Sequence, residues 1–190
     1  YIAIFYRGLD NEIFYAYMFS KVFVFIFVLA LSYLAGCERR LPPSCYEYIP
    51  ENELGRFELK TGGLAYDPEN DIEWFRCSVG QRLVKEECMG IPTIVSWTEA
   101  TANVEEINLK SGTNWRLPSI DELASLGVSG CGNPSINVNV FPNAMVENYW
   151  ASDKSPHTGF RCGMYTFSGA TSCRLFDNLE RPFFMVRDPK

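Results

Sequence analysis

Seven cysteines are the residues best suited to chemistry in this 190-residue chain: Cys37, Cys45, Cys77, Cys88, Cys131, Cys162 and Cys173. No two stand in a Cys-x-x-Cys pair, so a zinc ribbon or a thioredoxin-like redox site is not expected. Asp121 and Glu122 are adjacent acids that could do general acid–base work. They follow Ser119, however, and first-turn carboxylates ordinarily serve a helix cap and dipole. The one histidine, His157, follows Ser155-Pro156 with no acid pattern nearby, and a solvated loop residue is the plainer reading. Asn137, Asn139, Asn143, Glu147, Asn148 and Asp153 form a segment rich in amide and carboxylate oxygens. Such oxygens suit Ca²⁺, but Asn in loops more often makes Asx turns. Trp115-Arg116 pairs two residue types common in binding hot spots, while also fitting core packing and a helix entry. The expected ligand surface is therefore Trp115, Arg116, Asn137, Asn139, Asn143 and Asp153. No catalytic residue, cofactor or metal is expected.

Composition narrows the classes. The net charge is −6, with 47% hydrophobic and 15% aromatic residues, which is globular. No basic stripe is present, so nucleic acid and heparin-like polyanions are not default partners.

A targeting signal precedes the polar part. Met18-Phe-Ser-Lys21 leads into an uncharged run from Val22 to Leu34. A short basic start, an apolar stretch and small residues before a cut describe a secretory signal. Leu34-Ala35-Gly36-Cys37 resembles the lipobox of bacterial lipoproteins, which implies acylation of the Cys37 thiol and a new N-terminus there. A transmembrane helix over 13–34 is the competing reading, and it would place Lys21 inside the span. The expected organisation is an upstream extension (1–17), a signal peptide (18–36), a membrane tether (37–50) and one domain (51–190). Glu38 after the Cys resembles lipoproteins sorted to an outer membrane, if the host has one. With Cys37 lipidated, the six remaining Cys of an exported chain read as three disulfides.

The elements that position these residues are partly legible. Arg56 to Lys60 alternates, meets the turn Thr61-Gly62-Gly63, and continues as Leu64-Ala-Tyr, a hairpin. Ile72 to Arg76 reads as a strand. Ser96-Trp97-Thr98-Glu99 is a capping box, followed by Trp97, Ala100, Val104 and Ile107 on one helical face and a stop at Gly112. Ser119 to Glu122 is a second capping box, with Ile120, Leu123 and Leu126 behind it and Gly127 as its end. Residues 129–159 read as a long structured loop anchored by Val140, Phe141, Tyr149 and Trp150. Strands follow over 160–167 and 171–176 around Ser168-Gly169, and a last one over 182–187. This is an α+β pattern with segregated elements.

Several blocks stand in a family order. They are Trp74-Phe-Arg-Cys77-Ser-Val-Gly-Gln81, Cys88, Ser96-Trp97-Thr98-Glu99-Ala100, and Trp115-Arg116-Leu117-Pro118-Ser119-Ile120-Asp121-Glu122-Leu123. Asn133-Pro134-Ser135-Ile136-Asn137, Phe141-Pro142-Asn143, Tyr149-Trp150-Ala151-Ser152 and Val186-Arg187 follow. Together they resemble the Lcl C-terminal domain, named after the C-terminal domain of collagen-like adhesins, over about residues 45–187. The resemblance implies a C-type-lectin-like fold with two helices, small antiparallel sheets and a long loop, in exported or surface proteins. Some relatives act as adhesins that bind sulfated glycans. Sulfatase-modifying oxidases share a lectin-like fold but need reactive thiols, which three bridges would consume. The expected function is a lipid-anchored envelope or surface protein, not an enzyme, with a binding module for a glycan or protein. The alternatives are a structural envelope component, or an enzyme on a sulfatase-modifying-like fold.

The family's cysteine pair implies Cys77–Cys88. Its lead-in cysteine, with the other pairs assigned, implies Cys45–Cys131. Cys162 and Cys173 flank the Ser168-Gly169 turn. A two-residue turn would set them diagonally, about 7–8 Å apart, so a Cys162–Cys173 bridge requires a bulge or a longer loop. Pairing of Cys131 with Cys162 or Cys173 stays open.

Overall fold

The computed structural model describes residues 21–23, 41–154, 157–175 and 178–189. Cys37 and nearly all of the targeting segment lie outside the described residues. Residues 21–23 are helical, and among the described residues no helix is long and apolar enough to cross a membrane. Contacts divide the chain into two compact units, 1–41 and 42–190. The second holds three core clusters and three disulfides, Cys45–Cys131, Cys77–Cys88 and Cys162–Cys173.

Among the described residues of the second unit, nine strands and three helices follow in order: α1 (Cys45–Tyr48), β1 (Glu58–Lys60), β2 (Leu64–Asp67), β3 (Ile72–Phe75), β4 (Arg82–Val84), β5 (Glu87–Met89), α2 (Trp97–Ser111), α3 (Ile120–Ser125), β6 (Asn148–Lys154), β7 (Phe160–Tyr165), β8 (Ala170–Leu175) and β9 (Val186–Arg187). They form a four-stranded sheet β1-β2-β3-β9, a two-stranded hairpin β4-β5, and a three-stranded sheet β6-β7-β8. Every strand pairing is antiparallel. The mixed α+β class is as the sequence pattern indicates.

Both capping boxes form. Ser96 accepts from the Glu99 amide and Glu99 returns to the Ser96 amide; Ser119 and Glu122 do the same. Gly112 ends α2 in the left-handed conformation at φ 65°, its amide donating to the Asn108 carbonyl. Gly127 does not cap α3. The helix closes at Leu126 in ordinary right-handed geometry, and Gly127 instead bridges Ile136.

Two readings need correction. The segment 129–159 is not loop throughout, because β6 occupies Asn148–Lys154 and pairs with β7. The turn between β7 and β8 is the longer loop that a Cys162–Cys173 bridge requires. Tyr165 pairs with Ala170, four residues lie between, and Cys162 falls directly opposite Cys173. Residues 42–50 are not a free tether: Ser44 caps α1, Cys45 is fully buried and bonded to Cys131, and Ser44 bridges Gly132.

The last segment runs through 183–186 but pairs as a regular ladder only at β9. Its backbone bonds are shared among several partners: Phe75 and Val79 donate to Met185 and Phe183, Trp150 donates to Pro182, and Val186 exchanges with Arg116. Its side chains alternate between two clusters, as an extended chain requires. Phe184 and Val186 enter the first, with Trp74, Phe141, Tyr149 and α3's Leu123. Phe183 and Met185 enter the second, with Trp150, Leu117 and α2's Ala100 and Val104. β6 splits in the same way, with Tyr149 and Ala151 on one side and Trp150 on the other.

Candidate ligand-binding cleft

Trp115-Arg116 sits where α2, the 115–117 segment and β6 meet. Trp97, in the first turn of α2, donates its indole N–H to the Ala151 carbonyl at 2.7 Å, fixing the helix start to β6. Near the other end of α2, the Asn108 amide grips Trp115 from both directions. Its Oδ1 accepts from the Trp115 N–H and its Nδ2 donates to the Trp115 carbonyl, each at 2.7 Å. These anchors hold open a cleft of about 400 Å³. Trp97, Val104, Trp115 and Leu117 make its apolar surface, and Glu105, Arg116, Ser152 and Lys154 its polar rim.

Cations stack on both indoles. Lys154 Nζ lies 4.9 Å and the Arg161 guanidinium carbon 4.6 Å from the Trp97 ring centre. The Arg187 guanidinium carbon lies 4.7 Å from that of Trp115, whose ring also makes an edge-to-face contact with Phe75. These contacts orient the rings and put positive charge beside them.

Arg116 forks onto Glu122 at 2.8 and 2.7 Å. Burial acts to raise the Glu122 carboxyl, but hydrogen bonds from Arg116 and Ser119 outweigh it and hold the pKa below its ordinary value. The same fork raises Arg116. Glu122 is thus a helix cap and an ion-pair partner. Asp153 accepts from the Ile120 amide at 2.6 Å, at the first turn of the same helix.

The structure does not gather the expected ligand surface into one place. Trp115 and Arg116 line the cleft, and Asp153 neighbours it through Lys154. Asn137 and Asn139 lie elsewhere, under the 50–53 turn. Asn137 accepts from the Asn139 and Val140 amides and donates to the Glu53 carbonyl, while Asn139 donates to the Pro50 and Glu53 carbonyls. These are the Asx-turn contacts of a braced loop. Asn143 takes a left-handed φ of 54°, and its backbone meets the Tyr46 hydroxyl. Glu147 accepts from the Asn148 amide. No cluster of three or more His, Cys, Asp or Glu suited to a metal occurs among the described residues. His157 packs its ring against Phe160.

The model of the Lcl C-terminal domain family matches residues 63–187. The chain belongs to that family. No curated protein and no solved structure matches it. The match begins inside the β1–β2 turn, so α1, Cys45 and β1 lie before the matched part of this Lcl C-terminal domain. The cleft lies wholly within it. Sequence reading missed Lys154, Arg161 and Arg187 as partners of the tryptophans, because residues on β6 and β7 reach Trp97, and Arg187 on β9 reaches Trp115, only through the fold. Asn108 carried a faint signal, a polar side chain four residues before a helix-ending glycine.

Proposed function

We propose that this chain is a lipid-anchored cell-envelope or surface protein, exported and acylated at Cys37, whose Lcl C-terminal domain is a C-type-lectin-like binding module. The ligand is a glycan or a protein and the activity is binding, not catalysis. One observation carries the reading: a cleft walled by two anchored tryptophans and rimmed by Glu105, Arg116, Ser152 and Lys154. Such a mix of aromatic surface and oriented polar groups is what small binding sites use. The bridging of six cysteines supports binding over thiol chemistry. An outer-membrane location follows from Glu38 if the host has such a membrane.

The test is a glycan array and a surface pulldown with unit 42–190, each repeated with Lys154→Glu and Glu105→Lys. Both side chains are on the rim, so folding is expected to survive. Retention of a ligand by the native unit and its loss in either variant supports the cleft. Absence of any ligand favours a structural envelope component instead. An unmodified Cys37 in the mass spectrum of the mature protein would overturn the anchor.

A further inference from the structure

A second groove shares no lining residue with the tryptophan cleft. It lies between the β1–β2 turn and the β4–β5 hairpin and has a volume of about 740 Å³. Leu59, Phe75 and Leu83 give it an apolar surface. Lys60, Arg76, Arg82 and Lys85 also line it, and Glu86 is the one acid among them. In a chain of net charge −6 this is a local reversal of sign.

Arg76 is the built part of the groove. Its side chain is 3% exposed. Nε donates to the Val140 carbonyl at 2.9 Å and one terminal nitrogen to the Asn139 carbonyl at 3.1 Å. The other terminal nitrogen is thereby aimed outward, and it holds Glu86 at 2.7 Å. Glu86 itself is 72% exposed. A fixed, buried guanidinium therefore presents one edge, and a largely hydrated carboxylate sits on it.

The hairpin tip is shaped for that contact. Lys85 and Glu86 have φ of 50° and 64°. Two successive left-handed residues in a two-residue hairpin favour Asn and Gly, and long charged side chains there are held against that preference. The Cys77–Cys88 bridge fixes the hairpin near its base, two residues beyond the end of β3. The Arg82 and Lys85 side chains have no ion-pair or hydrogen-bond partner among the described residues.

We propose that this groove binds an anionic amphiphile, a phosphate or carboxylate head on an apolar body, and that Glu86 holds the place of the head on Arg76. The head would take Arg76, Arg82 and Lys85, and the body would lie along Leu59, Phe75 and Leu83. Binding moves Glu86 into water, where an exposed carboxylate is well solvated. No residue of the tryptophan cleft takes part, so this site stands or falls independently of the function proposed above.

Calorimetry on unit 42–190 tests it, with decyl phosphate below its micelle concentration as probe. Inorganic phosphate and decanol serve as head-only and body-only controls. Decyl phosphate is expected to bind at least about tenfold more tightly than either, since both halves contribute. Glu86→Gln is expected to tighten binding by about threefold or more, because an internal competitor is removed. The double variant R82E/K85E is expected to weaken binding by at least about tenfold with an unchanged thermal midpoint, both side chains being exposed. Capture by phosphatidylglycerol vesicles as well would assign the source to a bilayer lipid, and its absence to a soluble amphiphile. Equal binding of inorganic phosphate, no binding of decyl phosphate, or indifference to R82E/K85E would overturn the proposal. Indifference to Glu86→Gln would overturn the role given to Glu86.

Discussion

Cys162 and Cys173 stand directly opposite one another on β7 and β8, with Cα atoms 4.0 Å apart. The four residues between Tyr165 and Ala170 bring them into that register. A two-residue turn would have moved each cysteine off its partner, so turn length and bridge specify each other here. Peptide mapping under non-reducing conditions should yield Cys45–Cys131, Cys77–Cys88 and Cys162–Cys173. A peptide joining Cys45 to Cys162 or Cys173 would contradict the fold.

The three bridges should not be equal in stability. Cys45–Cys131 spans 86 residues, and each of the others spans 11. Loop-closure entropy assigns about 4.5 kcal/mol to the long span and about 3 kcal/mol to a short one. Denaturant titration of the C45S/C131S pair should therefore show the largest loss. Full reduction should lower the thermal midpoint strongly.

Asn108 should matter more than its surface position suggests. Asn108→Ala removes both hydrogen bonds to the Trp115 backbone, and a cost of about 1–3 kcal/mol is expected. Trp115 should then lose its orientation, so a cleft ligand should weaken alongside stability. Trp115 fluorescence anisotropy is a poor probe among four tryptophans. The amide exchange rate at Trp115 reads the change directly.

Acid should unfold this protein through Asp67. Its fully buried carboxylate takes a fork from Arg56 at 2.7 and 2.8 Å, together with Asn70 Nδ2 and the Glu69 amide. Burial alone would raise its pKa, but these partners lower it below the ordinary value. A carboxyl lowered on folding binds its proton more weakly than in the unfolded chain. Its stabilisation is thus complete above the unfolded pKa, near 4. It is lost as pH falls through the lower folded value. Thermal midpoints should be flat above about pH 5 and drop steeply below about pH 4. Asp67→Asn should make the acid limb shallower while lowering the midpoint at neutral pH.

Gly163 is required for space. A Cβ there would sit 2.5 Å from the Tyr149 carbonyl oxygen, a backbone atom of the neighbouring strand β6. Gly163→Ala should cost about 1–3 kcal/mol as β6 and β7 are forced apart. Chemical denaturation would detect this, and a neutral substitution would mean that the two strands are not in the register described.

What the sequence revealed was what is encoded within a few residues. The two capping boxes, Gly112, and the apolar faces of α2 and α3 were legible because a helix start, stop and stripe are local. β6 was hidden because Asn148 and Ser152 to Lys154 look like loop, and its strand character comes from β7 across the sheet. The β4–β5 hairpin was hidden because Lys85-Glu86 is not a recognisable turn pair. Half of the expected ligand surface dispersed for a similar reason. The amides of Asn137 and Asn139 find their partners at Pro50 and Glu53, far back in the chain.

The alternation along 183–186 bears on how the molecule comes apart. Phe184 and Val186 cannot leave the first cluster unless Phe183 and Met185 are withdrawn from the second, since one extended backbone carries all four. β6 ties the same two clusters together through Tyr149 and Trp150. Neither of these two clusters should melt while the other persists. Unit 42–190 should behave as a single cooperative folding unit, with the amides of Trp74, Trp150 and Val186 exchanging only through global opening and at one common free energy.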